Sequence, residues 1–403
     1  MLNVKTPDEV LEVIDTHFKT LEDHERVSIS EALGRTLFAD VCSSEFVPGF
    51  DRSSVDGFAI HAKDSFGCTE SIPAILKISS KIEMGKDTDG PLEKGCCAEV
   101  PTGGKVPVGA DCVVMVEYTE RLSEDEIAII RPAAPGDNMV YKGDDCRPGQ
   151  VIAKKGAIIK PQHIGVFASL GIEYVDVVKK PLVGIISTGD ELVGINETPK
   201  EGQVRDVNSY MIAALCMDWG CDTVTYGFFK DDEKTLSDAI HKAVSECDMV
   251  IISGGSSVGQ KDSTAKIIEG FGPLFFHGIA MKPGKPTILG CSSNKPIVGL
   301  PGHPGASFFV STLFVKALVS KLTGTIETIR PLKALLSEAV PANQGRTVYI
   351  GVSLKESGGN VVAEPVQSKS GLVSSLALSD GFICVPRDCE GYAKGMEVDV
   401  YMF

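Results

Sequence analysis

Three segments combine small residues, hydroxyls and charges directly after short apolar runs. They are Ser187-Thr188-Gly189-Asp190-Glu191, Ser253-Gly254-Gly255-Ser256-Ser257-Val258-Gly259 and Gly299-Leu300-Pro301-Gly302-His303-Pro304-Gly305. Glycines after a strand let backbone N–H groups approach an anion, and a following helix offers its positive N-terminus. The second segment suits phosphate best, because Ser256 and Ser257 add hydroxyl donors to Gly254 and Gly255. It is neither a Walker A loop nor a dinucleotide fingerprint. The first segment ends in Asp190 and Glu191. Carboxylates beside an anion repel it unless a cation intervenes, and Mg²⁺ suits that place because it takes one or two carboxylates plus ligand oxygens. Asp231 and Asp262 follow strands or open helices in the same region. They read as Mg²⁺ ligands or as helix N-caps, and the two roles are compatible. Lys282 and Lys285 add two cations in the stiff turn Met281-Lys282-Pro283-Gly284-Lys285-Pro286.

Three further polar turns stand apart from these loops. Phe50 to Ala59 holds Asp51, Arg52, Ser53, Ser54 and Asp56; Pro101-Thr102-Gly103-Gly104 and Lys142-Gly143-Asp144-Asp145 follow later. Each alone is an ordinary surface turn. The seven histidines are scattered, with only His303 in a candidate loop, and Trp219 ends a helix as a packing residue. No Ser–His or Cys–His nucleophile pair is visible.

The elements that must position these residues follow from periodicity. From 181 to 330, apolar strands without polar alternation alternate with helices, opening at Asn208, near Glu233, after Asp262 and near Gly305. That pattern predicts a doubly wound, mostly parallel α/β sheet covered on both faces, with all three loops on its carboxyl edge. Residues 45–139 read as a β-rich insert, short apolar runs punctuated by Gly and Pro. Residues 331–403 read as a small β domain. Residues 1–44 together with 140–180 form a discontinuous mixed piece. Thr6-Pro7-Asp8-Glu9 is a capping box that starts a helix carrying Val10, Ile14 and Phe18, and a second short helix is expected over 29–38. The fold class is therefore α/β plus β.

Bulk properties fit this. A chain of 403 residues allows two to three domains at roughly 150 residues each. The composition, 43% hydrophobic and 23% charged, is that of a soluble globular protein. A net charge of -15 argues against nucleic acid or anionic membrane as partner. An anion must then be held locally. The twelve cysteines lack metal-site spacing, and no run reaches the roughly 20 apolar residues of a membrane span. The N-terminus has no secretory pattern, so a cytoplasmic location with reduced thiols is expected.

Taken in order, FDRSSVDGFAI, PTGGKVPVGADCVVMVE, STGDEL, SGGSSVGQKD, KPGKP and GLPGHPGAS resemble the molybdopterin molybdenumtransferase family, which includes bacterial MoeA and the E domain of gephyrin. The resemblance covers nearly the whole chain. It implies insertion of molybdate, or tungstate, into adenylylated molybdopterin, with release of AMP and a need for Mg²⁺. It also implies an elongated homodimer whose site joins the α/β domain of one subunit to the insert of the other. The adenylyltransferase that makes the substrate is a candidate protein partner. By motif match, Asp56, Thr102, Asp145, Glu191, Asp231 and Asp262 correspond to catalytic positions, the last three as metal ligands. Ser187, Thr188, Gly189, Asp190, Gly254, Gly255, Ser256, Ser257, Lys282, Lys285, Pro301, Gly302, Arg346 and Ser370 correspond to binding positions. Three departures from the family pattern stand out: Val55 in place of Met, Gly104-Lys105 in place of Ala-Pro, and His303 in place of Asn.

Overall fold

The apolar runs of the central region build one six-stranded sheet in the computed structural model. The structure describes residues 4–88, 90–230, 232–254, 261–326, 329–342, 345–366 and 373–403, with backbone only at 261–263. Sheet order is Asp222–Phe229, Leu182–Thr188, Met249–Gly254, Lys295–Leu300, Ile288–Ser292, Leu274–His277. The first four strands pair in parallel. Ile185 and Ile251 enter the core on one face, with Ile212, Phe309 and Phe314. Their neighbours Ile186 and Ile252 enter the other, with Leu236, Ile240 and Ile268. Double coverage accounts for the missing polar alternation.

Strict strand–helix alternation fails at one place. Ile288–Ser292 runs antiparallel to both its neighbours. Ser293 and Asn294 sit at φ 50° and 68°, which is the left-handed backbone a two-residue hairpin turn needs. No crossover helix is required there.

The helices obey local signals. Thr6 and Glu9 close the capping box of Pro7–His17, and Val10, Ile14 and Phe18 join the main core. Asp232 caps Glu233–Glu246 by accepting from the Thr235 amide. Pro304–Val310 continues through a π turn, Ser311–Val315, into Lys316–Thr323. Among the described residues this is the one helix long and apolar enough to span a membrane, and 61% of its apolar window is packed inside the protein.

Around the central sheet lie three other bodies. The insert is a six-stranded sheet ordered Cys112–Met115, Gly57–Ile60, Cys96–Val100, Ala74–Lys81, Glu126–Ile129, Thr119–Arg121. A mixed body pairs His24–Ser28 with Tyr174–Val178, and Val41–Cys42 with Val151–Ala153. Its core draws Leu37, Ile159, Phe167 and Val177 from distant parts of the chain. The helix expected over 29–38 is absent. That stretch forms turns, and Thr36 and Leu37 bridge to Ile158 and Val177, so tertiary pairing takes the backbone groups a helix would use. The C-terminal strands close on themselves, since Thr347–Ser357 pairs with both Asn360–Pro365 and Gly381–Val385. Met281–Lys282, from the α/β region, adds to Thr347–Val348 of this sheet in parallel.

Where the strand order reverses, Thr188 faces Gly254. A Cβ on Gly254 would lie 1.9 Å from the Thr188 carbonyl oxygen, and its φ is 121°. Gly254→Ala is expected to destabilise the α/β region by about 2–4 kcal/mol. Urea unfolding followed by fluorescence of Trp219, the single tryptophan, checks this; an unchanged midpoint contradicts it.

Candidate active site

Parallel register fixes where the loops emerge. Ser187 pairs with Phe228 and Ser253, and Ser253 with Leu300, so the three strand-end loops open on one edge. The chain leaves Leu182–Thr188 on one side for Asp222–Phe229 and returns on the other for Met249–Gly254. This is the switch point at which open α/β sheets bind ligands. Ser187 and Thr188 are buried at the strand end, while Asp190 and Glu191 are exposed beyond it. The Gly189 amide donates to the Phe229 carbonyl at 3.1 Å, and the Val204 amide to the Glu191 carbonyl at 2.9 Å. The Glu191 carboxylate folds back, 2.7 Å from where a Cβ on Gly189 would stand. Asp231, Gly255, Ser256, Ser257 and Ser370 lie outside the described residues, as does the side chain of Asp262.

A cleft of about 1370 Å³ lies between the third of these loops and the C-terminal sheet. Its walls include Lys282, Lys285, Pro301, His303 and Arg346, with Glu338 as the acidic exception. Strand addition explains the convergence. Thr347 donates its amide to the Ala280 carbonyl at 3.0 Å, which seats Arg346 beside the lysine turn. The turn is braced from below, by Thr287 Oγ1 donating to the Gly284 carbonyl at 2.7 Å and by the Ile279 amide donating to the Lys285 carbonyl at 2.9 Å. Two ammonium groups and a guanidinium on a braced wall suit tetrahedral oxyanions, which Arg binds with a planar fork and Lys as a point charge. Gly302, between Pro301 and His303, gives its carbonyl to Asn208 Nδ2 at 2.8 Å.

The insert gathers the other candidates. Asp56 Oδ1 accepts from the Thr102 amide at 2.6 Å and from the Thr102 hydroxyl at 2.9 Å. These bonds, the backbone one first, hold the exposed Asp56 carboxyl below its ordinary range. Gly57 follows because a Cβ there would fall 2.0 Å from the Val114 carbonyl oxygen. The three polar turns form one hydrogen-bonded surface. Gly103 donates to the Ser53 carbonyl at 2.8 Å and Ser53 to the Gly104 carbonyl at 2.9 Å. Asp51 Oδ1 accepts from the Lys142 amide at 2.8 Å. Asp145 is exposed on the last turn, held by its amide to the Val47 carbonyl at 3.0 Å. Asp56 also borders a hollow of about 510 Å³ with Lys81, Glu99 and Arg121. Among the described residues no group of three or more His, Cys, Asp or Glu is placed to hold a metal by itself.

Sequence reading missed Asn208 and Asp51 as links between loops. Asn208 reads as an N-cap, yet Asp206 Oδ1 takes the Ser209 amide at 3.2 Å and leaves the Asn208 side chain for other partners. Asp206 two residues upstream is the available signal.

Comparison with known proteins is consistent along the whole chain. Residues 5–171 match the MoeA N-terminal region (domain I and II), 184–321 a probable molybdopterin binding domain, and 333–403 the MoeA C-terminal region (domain IV). The chain is 31% identical to a molybdopterin molybdenumtransferase of Bacillus subtilis, covering 100% of this chain and 95% of that one. It is 33% identical to one of Staphylococcus aureus, covering 93% and 90%. A crystal structure of a molybdopterin biosynthesis moeA protein from Pyrococcus horikoshii superposes with TM-score 0.88 at 34% identity, covering 99% and 100%.

The Asp56–Thr102 pair makes a titration prediction. A depressed carboxyl pKa favours the folded form above the ordinary range, and the advantage fades as pH falls through the depressed value. In Thr102→Ala the hydroxyl donor goes and the stronger amide donor stays. The Asp56 midpoint, read by carboxyl NMR, should rise yet remain below the ordinary aspartate range. An unmoved midpoint would deny the hydroxyl any part.

Proposed function

The chain belongs to the molybdopterin molybdenumtransferase family, and on that premise we propose that it inserts molybdate into adenylylated molybdopterin, releasing AMP in a Mg²⁺-dependent step. Membership makes it a transferase of molybdenum cofactor biosynthesis. The observation that carries the finer reading is the cationic cleft of Lys282, Lys285 and Arg346, joined through Gly302 to the switch-point edge. A substrate with phosphates at one end and an oxyanion acceptor at the other needs both places.

Lys282, Lys285 and Arg346 bind and orient oxyanion and phosphate in the cleft. Ser187, Thr188, Gly189 and Gly254 shape the edge where the pterin end rests; Gly255, Ser256 and Ser257, next in sequence, are proposed to bind it too. Glu191, with Asp190 beside it, offers exposed carboxylate oxygens at the strand end. The donor set fits Mg²⁺, because that ion takes few protein carboxylates and completes its shell with substrate oxygens and water. Mg²⁺ bound there, by Glu191 with Asp231 or Asp262, would offset charge on the leaving phosphate. Positioning, not covalent catalysis, supplies the rate. Asp56, Thr102 and Asp145 of the partner subunit complete the site in a homodimer. The reaction is placed in the cytoplasm, with the adenylyltransferase that makes the substrate as protein partner.

Molybdate-dependent AMP release from adenylylated molybdopterin, titrated also with tungstate and with Mg²⁺ removed by chelation, is the direct assay. Glu191→Gln and Asp56→Asn should each lower the rate by about 100-fold or more, and Arg346→Ala should raise the oxyanion concentration needed for half-maximal rate. AMP release that ignores oxyanion and both acid substitutions sinks the reading. So does formation of adenylylated molybdopterin from molybdopterin and ATP.

A further inference from the structure

We propose that Asn208 is a positioning residue that locks the switch-point edge of the α/β sheet to the cationic cleft. It opens the helix Asn208–Asp218 but does not cap it, since Asp206 takes that part. Its side chain is buried, 7% exposed. Both amide hydrogens are committed: Nδ2 donates to Ser253 Oγ at 2.8 Å and to the Gly302 carbonyl at 2.8 Å. Ser253 immediately precedes Gly254, which starts the Gly-rich segment. Gly302 lies between Pro301 and His303, which line the cleft. The ladder between these two strands ends at the pair Ser253 and Leu300. One side chain thus ties the last paired residue of one strand to the loop that follows the other.

The chemistry of the bond fixes the residue type. A carbonyl only accepts, so Gly302 demands the amide nitrogen, and the orientation of the Asn208 amide follows. Asp would present an acceptor to an acceptor. The remaining atom, Oδ1, is buried without a partner among the described residues, and so is Ser187 Oγ on the strand paired with Ser253. A buried, unsatisfied amide oxygen is costly to the fold. The nitrogen is the atom that joins the two segments, Ser253 on one side and Gly302 on the other.

A ligand anchored at the strand edge and in the cleft then meets a fixed span between its two ends. Loss of the clamp lets the Pro301–His303 segment move relative to Gly254 while each half keeps its own binding groups. The catalytic consequence rests on the transferase reading above; the clamp does not.

The test compares the full-length protein with Asn208→Asp, which keeps the shape, and Ser253→Ala, which removes one leg only. Hydrogen exchange by mass spectrometry should show peptides covering 299–305 and 252–254 exchanging about tenfold faster in Asn208→Asp, with the strand interior around Ile185 and Ile251 unchanged. Its kcat should fall about 100-fold while KM for adenylylated molybdopterin moves less than about threefold, with Ser253→Ala between it and the parent. Unchanged exchange in a folded Asn208→Asp protein overturns the clamp. Faster exchange with unchanged kcat overturns the positioning role. If the parent protein itself releases no AMP, the transferase reading fails and the exchange result still decides the clamp.

Discussion

Parallel pairing of Leu182–Thr188 with strands on both sides is the constraint from which the site follows. It sends every following loop to the same edge, where backbone amides and helix starts face outward. It also brings the Thr188 carbonyl against Gly254 so closely that no side chain fits between them. The protein carries a net charge of -15, so the overall field opposes an anionic ligand. Attraction must come from groups within a few ångströms, where proximity outweighs the screened charge of the rest. Lys282, Lys285 and Arg346 supply it, and strand addition of Met281–Lys282 to Thr347–Val348 holds them in place. Sheet register at two different sheets therefore determines the electrostatics of one cleft.

Much of this was legible in the residues. The Thr6–Glu9 box, the helix ending before Gly220, and Glu233–Glu246 follow from local capping and turn chemistry, which sequence records directly. The loops were legible because parallel strands predict a shared edge. What sequence could not give was pairing over distance. The 29–38 stretch has helical composition, yet its partners Ile158 and Val177 lie more than a hundred residues on. Asp51 and Lys142, likewise, carry no mutual signal, though their bond ties two polar turns together. Asn208 shows a subtler limit. Its type fits an N-cap, and only the position of Asp206 reveals that capping is already satisfied.

The two groups of candidate residues differ in sign. The cleft is cationic, whereas Asp56 stands as a carboxylate on a surface of mixed charge, with Lys81, Glu99 and Arg121 around the same hollow. Asp56 is exposed, and the little burial it has favours the proton less than the Thr102 bonds favour its loss. The Thr102 amide and hydroxyl both donate to the same oxygen and stabilise the charged form. Asp56 is consequently a carboxylate at neutral pH and cannot serve as a general acid there. It is left with three kinds of work: accepting a hydrogen bond, taking a proton, or facing a cation. Since Thr102 occupies Oδ1 alone, Oδ2 is the atom through which any of these would act. Asp56 is thus an exposed carboxylate at the rim of a hollow, beside Gly57 packed against Val114.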